Sequence, residues 1–258
     1  MSQYHTEENE NSQSISGLIA QAGVFSVYKN SGETLAMLVR RFRSEQNISE
    51  ETPITYAGRL DPMAEGLVIL LVGEMCKFKD EYLGFDKTYE FEVLFGVSTD
   101  TFDMLGLISD HKEVSITETE ILEKLEIIKK IQGFSYPPYS SKPVDGVPLF
   151  SHARAGTLPE EMPTMKGQIK NLVLKSFKET NLKEALEEKI EILKTVVGDF
   201  RQEEILKGWE SFLKESGSKK CFLARFEATV TSGVYIRTIA TMFGVPTLAY
   251  NINRIKIG

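Results

Sequence analysis

Residues 67–72, LVILLV, are six consecutive apolar side chains stopped by Gly73. With no polar position to turn toward water, such a run predicts a strand covered on both faces in the middle of a sheet. Immediately before it stands AGRLDPMAEG (57–66), whose glycines and Asp-Pro pair read as a loop feeding straight into that core strand.

Around this centre the periodicity changes along the chain. Tyr89, Phe91, Val93 and Phe95 alternate with Thr88, Glu90, Glu92 and Leu94, the pattern of a strand with one buried face. A short apolar run at 23–28 predicts another strand. Leu35, Leu38, Val39 and Phe42 then fall at helical spacing, which leaves Arg40, Arg41 and Arg43 on the remaining surface. A helix is expected over 118–132, opened by a capping box of Thr117 with Glu120 and closed by Gly133. Residues 137–165 are rich in proline and read as a long loop with one helical turn near 149–155. A strand near 169–177 comes next, then two apolar helical stripes, Leu182 to Val197 and Ile205 to Phe212, broken at Gly198. These predict a helical hairpin inserted over 180–217. The chain should finish with a strand at 222–230, a helix from Tyr235 to Phe243 capped by Gly244, and a short strand in NINRIKIG. Strands and helices in mixed order predict an α+β fold. Residues 1–20 lack periodicity and read as a disordered acidic tail ahead of one domain over 21–258.

The net charge of −7 argues at first against a nucleic-acid partner. Its distribution removes the objection: the tail and the stretch 178–215 carry most of the excess acid, and the remainder is close to neutral, leaving room for a positive groove. Lys29, Arg40, Arg41, Arg43, Lys77, Lys142 and Arg154 are its candidate phosphate contacts. Cys76 and Cys221 are far apart and form no CxxC pair, and three histidines are too few for an ordinary zinc site. No metal is therefore expected, and no dinucleotide or P-loop phosphate motif is present. The polar N-terminus and the lack of a membrane-length apolar run lead us to expect a cytoplasmic protein with no membrane contact.

Five collinear segments carry a resemblance: AGRLDPMAEGLVILL at 57–71, GEMCKF at 73–78 with DKTYEFEVLFGVSTDTFDMLG at 86–106, PPYSSKPVDGVPLFSHARAG at 137–156, SGVYIRTIA at 232–240 and NRIKIG at 253–258. Together they resemble the TruB family of RNA pseudouridine synthases, cofactor-independent isomerases of the T-loop uridine of tRNA. The resemblance implies a pseudouridine synthase fold, with a mixed, largely antiparallel central sheet flanked by helices and loops. It makes Asp61 the catalytic carboxylate, Arg237 its ion-pair partner and Tyr89 the residue that packs on the flipped base. It makes 137–165 a thumb-like RNA-binding loop in which Lys142 and Arg154 supply charge, while Tyr139, Phe150 and His152 add stacking faces. Lys77, Arg40 and Arg41 are further expected RNA contacts. Tyr56 stands where the family usually has the histidine that helps flip the base, and Arg59 replaces a small residue; both are expected to touch RNA. The chain is expected to lack the C-terminal PUA domain of many relatives and to act as a monomer on the T arm of tRNA. The alternatives are a pseudouridine synthase for another RNA, and a non-catalytic RNA-binding or RNA-folding protein on the same fold.

Overall fold

A computed structural model describes residues 23–258; the tail expected over 1–20 lies outside them. The run LVILLV lies in β3 (Glu65–Val72). Along one edge of β3, β1 (Val24–Lys29) pairs antiparallel from Val24 opposite Leu71 to Lys29 opposite Gly66. The other edge is divided. β2 (Ile54–Ala57) pairs antiparallel with residues 69–72, and β13 (Thr247–Ile257) meets Glu65 and Gly66 in parallel. Loop 58–64, bearing Asp61, runs from the end of β2 back to the start of β3, where β13 arrives.

From β13 the sheet continues antiparallel through β4 (Lys87–Phe95), β12 (Lys220–Val230) and β11 (Ile169–Asn181). Every pairing except β3 with β13 is antiparallel, so the sheet is mixed and the class is α+β. The strands β5 (Val97–Thr99) and β6 (Ile108–His111), β7 (Gly133–Ser135) and β10 (Thr164–Lys166), and β8 (Pro143–Val144) and β9 (Val147–Pro148) form three two-stranded pairs beside it.

Seven helices complete the described chain. Helix α1 (Leu35–Glu45) starts at Thr34, whose hydroxyl accepts from Met37 N, and α2 (Lys79–Leu83) follows a 3-10 turn. α3 (Glu118–Ile128) has the expected Thr117/Glu120 capping box, and α4 (Leu149–Ala155) is the helical turn of the proline-rich segment. α5 (Leu182–Thr195) and α6 (Gln202–Ser216) pack on one another, and α7 is Ile236–Ala240. Among the described residues no helix is long and apolar enough to cross a membrane.

Alternation in β4 explains the two main cores. Tyr89, Phe91, Val93 and Phe95 enter a cluster with Leu38 and Phe42 of α1, Ile121 and Leu125 of α3 and Ile239 of α7. Leu94 points the other way, into a cluster with Leu186 and Ile190 of α5 and Ile205 and Trp209 of α6. The second face of β4 was expected to meet water; its end is covered by the paired helices instead.

Three further expectations are corrected. LVILLV is not buried equally on both faces: Val68, Leu70 and Leu71 are fully buried while Leu67, Ile69 and Val72 are half-buried. The reason is that one side of β3 is roofed only by the small cluster of Val24, Ala57, Leu71 and Tyr82. α3 ends at Ile128 because the chain turns to form β7. α7 has five residues, all buried, so the apolar spacing over 235–243 reported depth in the core rather than one face of a long helix.

Candidate active site

Loop 58–64 is held from beneath by side chains that donate to its backbone carbonyls. Arg254, on β13 and 1% exposed, donates from Nε to Leu67 O (2.6 Å), from Nη1 to Arg59 O (3.2 Å) and from Nη2 to Gly58 O (3.3 Å). Lys29, fully buried at the end of β1, donates from Nζ to Ala64 O (2.5 Å), Asn30 O (3.0 Å) and Pro62 O (3.2 Å). Ser31 Oγ donates to Met63 O (3.1 Å), and Ala64 N donates to Asp61 O (3.1 Å) to close a turn around Pro62. Irregular chain beside a core strand has no ladder to satisfy its carbonyls, and these donors replace it. Gly66 makes the crossing possible: a Cβ there would stand 2.4 Å from Arg254 O and 2.5 Å from Arg254 N.

Arg237, on α7 and 3% exposed, fixes the carboxylate. Its Nε donates to Asp61 Oδ2 at 2.7 Å, Nη1 to Thr101 O at 2.5 Å and Nη2 to Tyr139 O at 3.1 Å. Asp103 Oδ2 lies 3.6 Å from the same Nε. Burial pushes the Asp103 carboxyl above the usual carboxylate range, and the Arg237 charge offsets part of that push. Thr101 Oγ1 and Leu105 N donate to Asp103 Oδ1, at 2.8 and 2.9 Å. Among the described residues Asp61 Oδ1 accepts no hydrogen bond, so one oxygen is clamped and the other is open. Burial, reinforced by the negative charge of Asp61, pushes the Tyr235 hydroxyl up to about 12.

These groups line a cleft of about 970 Å³ that includes Asp61, Tyr89 and Arg237. Tyr89 stands on β4 between Ala228 of β12 and Arg254 of β13, and is mostly buried at the cleft floor. Eight lysine and arginine residues line the cleft against four acids, a local positive balance in a chain of net charge −7. Ser140 Oγ, buried in the cleft wall, has no hydrogen-bond partner among the described residues.

The sequence-predicted RNA contacts divide. Tyr56, Arg59, Arg40, Arg43 and Arg154 line the cleft. The Tyr56 ring lies 5.8 Å from the Arg59 guanidinium and 5.4 Å from Lys79 Nζ. Arg154 pairs with Asp199 at 2.7 Å. Arg41 instead bonds Glu33, Glu45 and the Tyr28 carbonyl, and Lys77 pairs with Glu74 on the surface; neither lines the cleft. Lys142 also lies outside the lining, 5.4 Å from the Tyr136 ring. His152 is tied to Thr157 and to the Val144 carbonyl. Lys29 is corrected outright: a fully buried ammonium bonded to three carbonyls is a structural donor, not a phosphate contact. Burial lowers its pKa to about 8, with Glu33, Asp61 and Glu65 opposing.

Sequence reasoning missed the loop-holding role of Arg254 and Lys29, and the arrival of Asp199, Phe200 and Arg201 of the inserted hairpin in the cleft wall. A lone cation in a strand reads as surface charge, and nothing local marks a linker that reaches a distant site.

The family model for TruB family pseudouridylate synthases, N-terminal domain, matches residues 46–193. The tRNA pseudouridine synthase B of Shouchella clausii is 32% identical over 194 residues, 74% of this chain and 51% of that protein. That of Azoarcus sp. is 39% identical over 137 residues, 52% of this chain and 44% of that protein. The chain thus spans about half the length of the curated relatives it matches. Among solved structures, a Cbf5-Nop10-Gar1 complex aligns with 94% of this chain and 50% of its own, at a TM-score of 0.51 and 13% identity, a likeness of fold alone.

Proposed function

The chain belongs to the TruB family of pseudouridylate synthases, and from that premise we propose that it converts the T-loop uridine of tRNA to pseudouridine, with Asp61 as the catalytic carboxylate. The observation that carries the reading is the Asp61–Arg237 pair: Oδ2 is clamped at 2.7 Å while Oδ1 is open, in a cleft whose lining has more cations than acids.

The reaction breaks the bond from uridine N1 to C1′, rotates the uracil and forms a bond from C5 to C1′, after which C5 loses its proton and N1, freed from the sugar, gains one. No electron changes hands, so a carboxylate can serve without a cofactor. Asp61 supplies negative charge beside the sugar carbon. Arg237, itself held by two carbonyls, keeps that carboxylate from rotating away. The Tyr89 ring offers a stacking face to the extracted base, and Ser140 Oγ a free hydroxyl in the same wall. A T-loop base must be flipped out to reach the site, at a cost of a few kcal/mol that contacts to the flipped base and the backbone have to offset. Arg40, Arg59 and Arg154 of the cleft lining would supply those contacts, with Tyr56 beside Arg59, whereas Arg43 is engaged by the Ser49 and Thr52 carbonyls and by Glu50. The partner is the T arm of tRNA, bound by a cytoplasmic monomer.

The test is to incubate purified protein with unmodified total RNA and map pseudouridine. The expected product is a single modified position in the T loop of tRNAs, absent with Asp61→Asn. Modification confined to another RNA would overturn the substrate, and undiminished activity of Asp61→Asn would overturn the site.

A further inference from the structure

We infer that Arg201, carried by the inserted helical hairpin, is a positioning residue for the Asp61–Arg237 pair; the inference rests on reading that pair as the catalytic centre. Arg237 depends on two carbonyls from separate segments, Thr101 O and Tyr139 O. Arg201 grips both segments. Its Nη1 and Nη2 donate to Asp100 Oδ2 and Oδ1 at 2.7 and 3.2 Å, a forked pair adjacent to Thr101. Its guanidinium also lies 4.3 Å from the centre of the Tyr139 ring, close enough for a cation–π contact. One side chain therefore ties together the two pieces of chain on which Arg237 hangs.

Two further observations support design rather than accident. Arg201 has φ +61°, in the left-handed region that L residues rarely adopt, and it stands directly before α6 without using its side chain as a cap. The hairpin also takes hold of the same turn a second time: Trp209 Nε1, fully buried, donates to Met104 O at 3.0 Å. With both Nη atoms engaged by one carboxylate and its flat face against Tyr139, the Arg201 guanidinium is spent within the protein. It acts on the reaction through Asp100 and Tyr139, not by gripping phosphate.

The experiment uses the full chain and a T-arm RNA, measuring the single-turnover rate at saturating RNA and, separately, Kd. Arg201→Met should lower the rate about tenfold or more while Kd stays within about threefold, because a small misplacement of reacting groups costs rate before it costs binding. Arg201→Lys should recover only part of the loss, since an ammonium makes no forked pair. Combining Arg201→Met with Asp100→Asn should be no slower than the worse single variant. Glu203→Gln, in an exposed pair with Lys207 on the same helix, should leave the rate unchanged. A rate within twofold of wild type, a loss confined to Kd, or an equal loss in Glu203→Gln overturns the inference. Asp61→Asn separates the two levels: if it stays active the catalytic reading falls, and if it is inert while Arg201→Met is unimpaired only this inference falls. A second readout needs no turnover. The Arg237 Nε–H proton, buried against Asp61, should exchange with solvent at least about tenfold faster in Arg201→Met; unchanged exchange overturns the inference.

Discussion

The loop that carries Asp61 and the proline-rich segment around α4 both line the cleft and both lack regular pairing for most of their length, yet they are held in opposite ways. Beneath loop 58–64, buried Arg254 and Lys29 and half-buried Ser31 bond five of its carbonyls, at Gly58, Arg59, Pro62, Met63 and Ala64. Between 142 and 162 the chain has a pair of two-residue strands, a seven-residue helix and one ion pair, Arg154 with Asp199, whose carboxylate is exposed. Phe150 and Leu158 are exposed there too. On the proposed reading, fixed geometry is concentrated where a carboxylate would meet one carbon, and loose attachment where an RNA backbone would be accommodated.

The sharpest test of that contrast is at the carboxylate. Asp61→Asn preserves volume and should lower the single-turnover rate by at least about 10³-fold while Kd for the T arm stays within about threefold. Arg237→Met should also cost about 10²-fold or more, because it leaves Asp61 unoriented and Asp103 buried without its counter-charge. A mild effect of either would mean that the fixed region is not where the reaction occurs.

Next comes the support itself. Arg254→Met would leave three carbonyls without their donor and should destabilise the fold by roughly 3–5 kcal/mol in urea titration, with a loss of rate in the protein that remains folded. If Arg154→Met, in the loosely held segment, costs as much stability, the contrast between the regions is broken.

Lys29 gives the support a pH dependence. The unfolded chain holds this proton to about 10.5, whereas in the fold burial lowers the value to about 8. Unfolding therefore takes up a proton between these values, so the native state gains stability as pH rises from about 8 to about 10.5. The gain is lost again as pH falls through about 8, and its size is on the order of 3 kcal/mol. Comparing Tm against pH for wild type and Lys29→Met isolates it: the rising component should vanish in the variant. An identical profile in both proteins would place Lys29 outside the support of the loop.

The smallest expected effect is on the adaptable side. Arg154→Met should change stability by less than about 1 kcal/mol, since its partner is exposed. It should weaken T-arm binding at low salt and reduce the slope of log Kd against log salt by about one. An unchanged slope would mean that Arg154 stays with Asp199 when RNA is bound.

Much of the fold was legible because burial leaves a period in the chain. The alternation at 88–95 placed a strand with Phe91, Val93 and Phe95 inward, and Thr117 with Glu120 marked a helix start, since both patterns arise from neighbours in sequence. Leu94 was read as facing water because its cover, the helices at 182–216, lies more than eighty residues away. The resemblance named Asp61, Tyr89 and Arg237 one by one, and the structure brings the three to one cleft. No pattern distinguished Arg41, spent on Glu33 and Glu45, from Arg40 beside it, which lines the cleft.

By itself, then, the sequence determined the α+β class, the family motifs and an excess of acid carried mostly by residues 1–20 and 178–215. Tertiary structure alone decided which cations line the cleft and which are consumed inside the protein. Lys29 and Arg254 take backbone carbonyls as partners, and every residue of the chain carries one, so no residue type announces the acceptor. Arg201 likewise meets Asp100 and Tyr139 only because the hairpin packs across the sheet. A local pattern records how deep a side chain lies, but the partner of a buried charge is fixed by the path of distant chain.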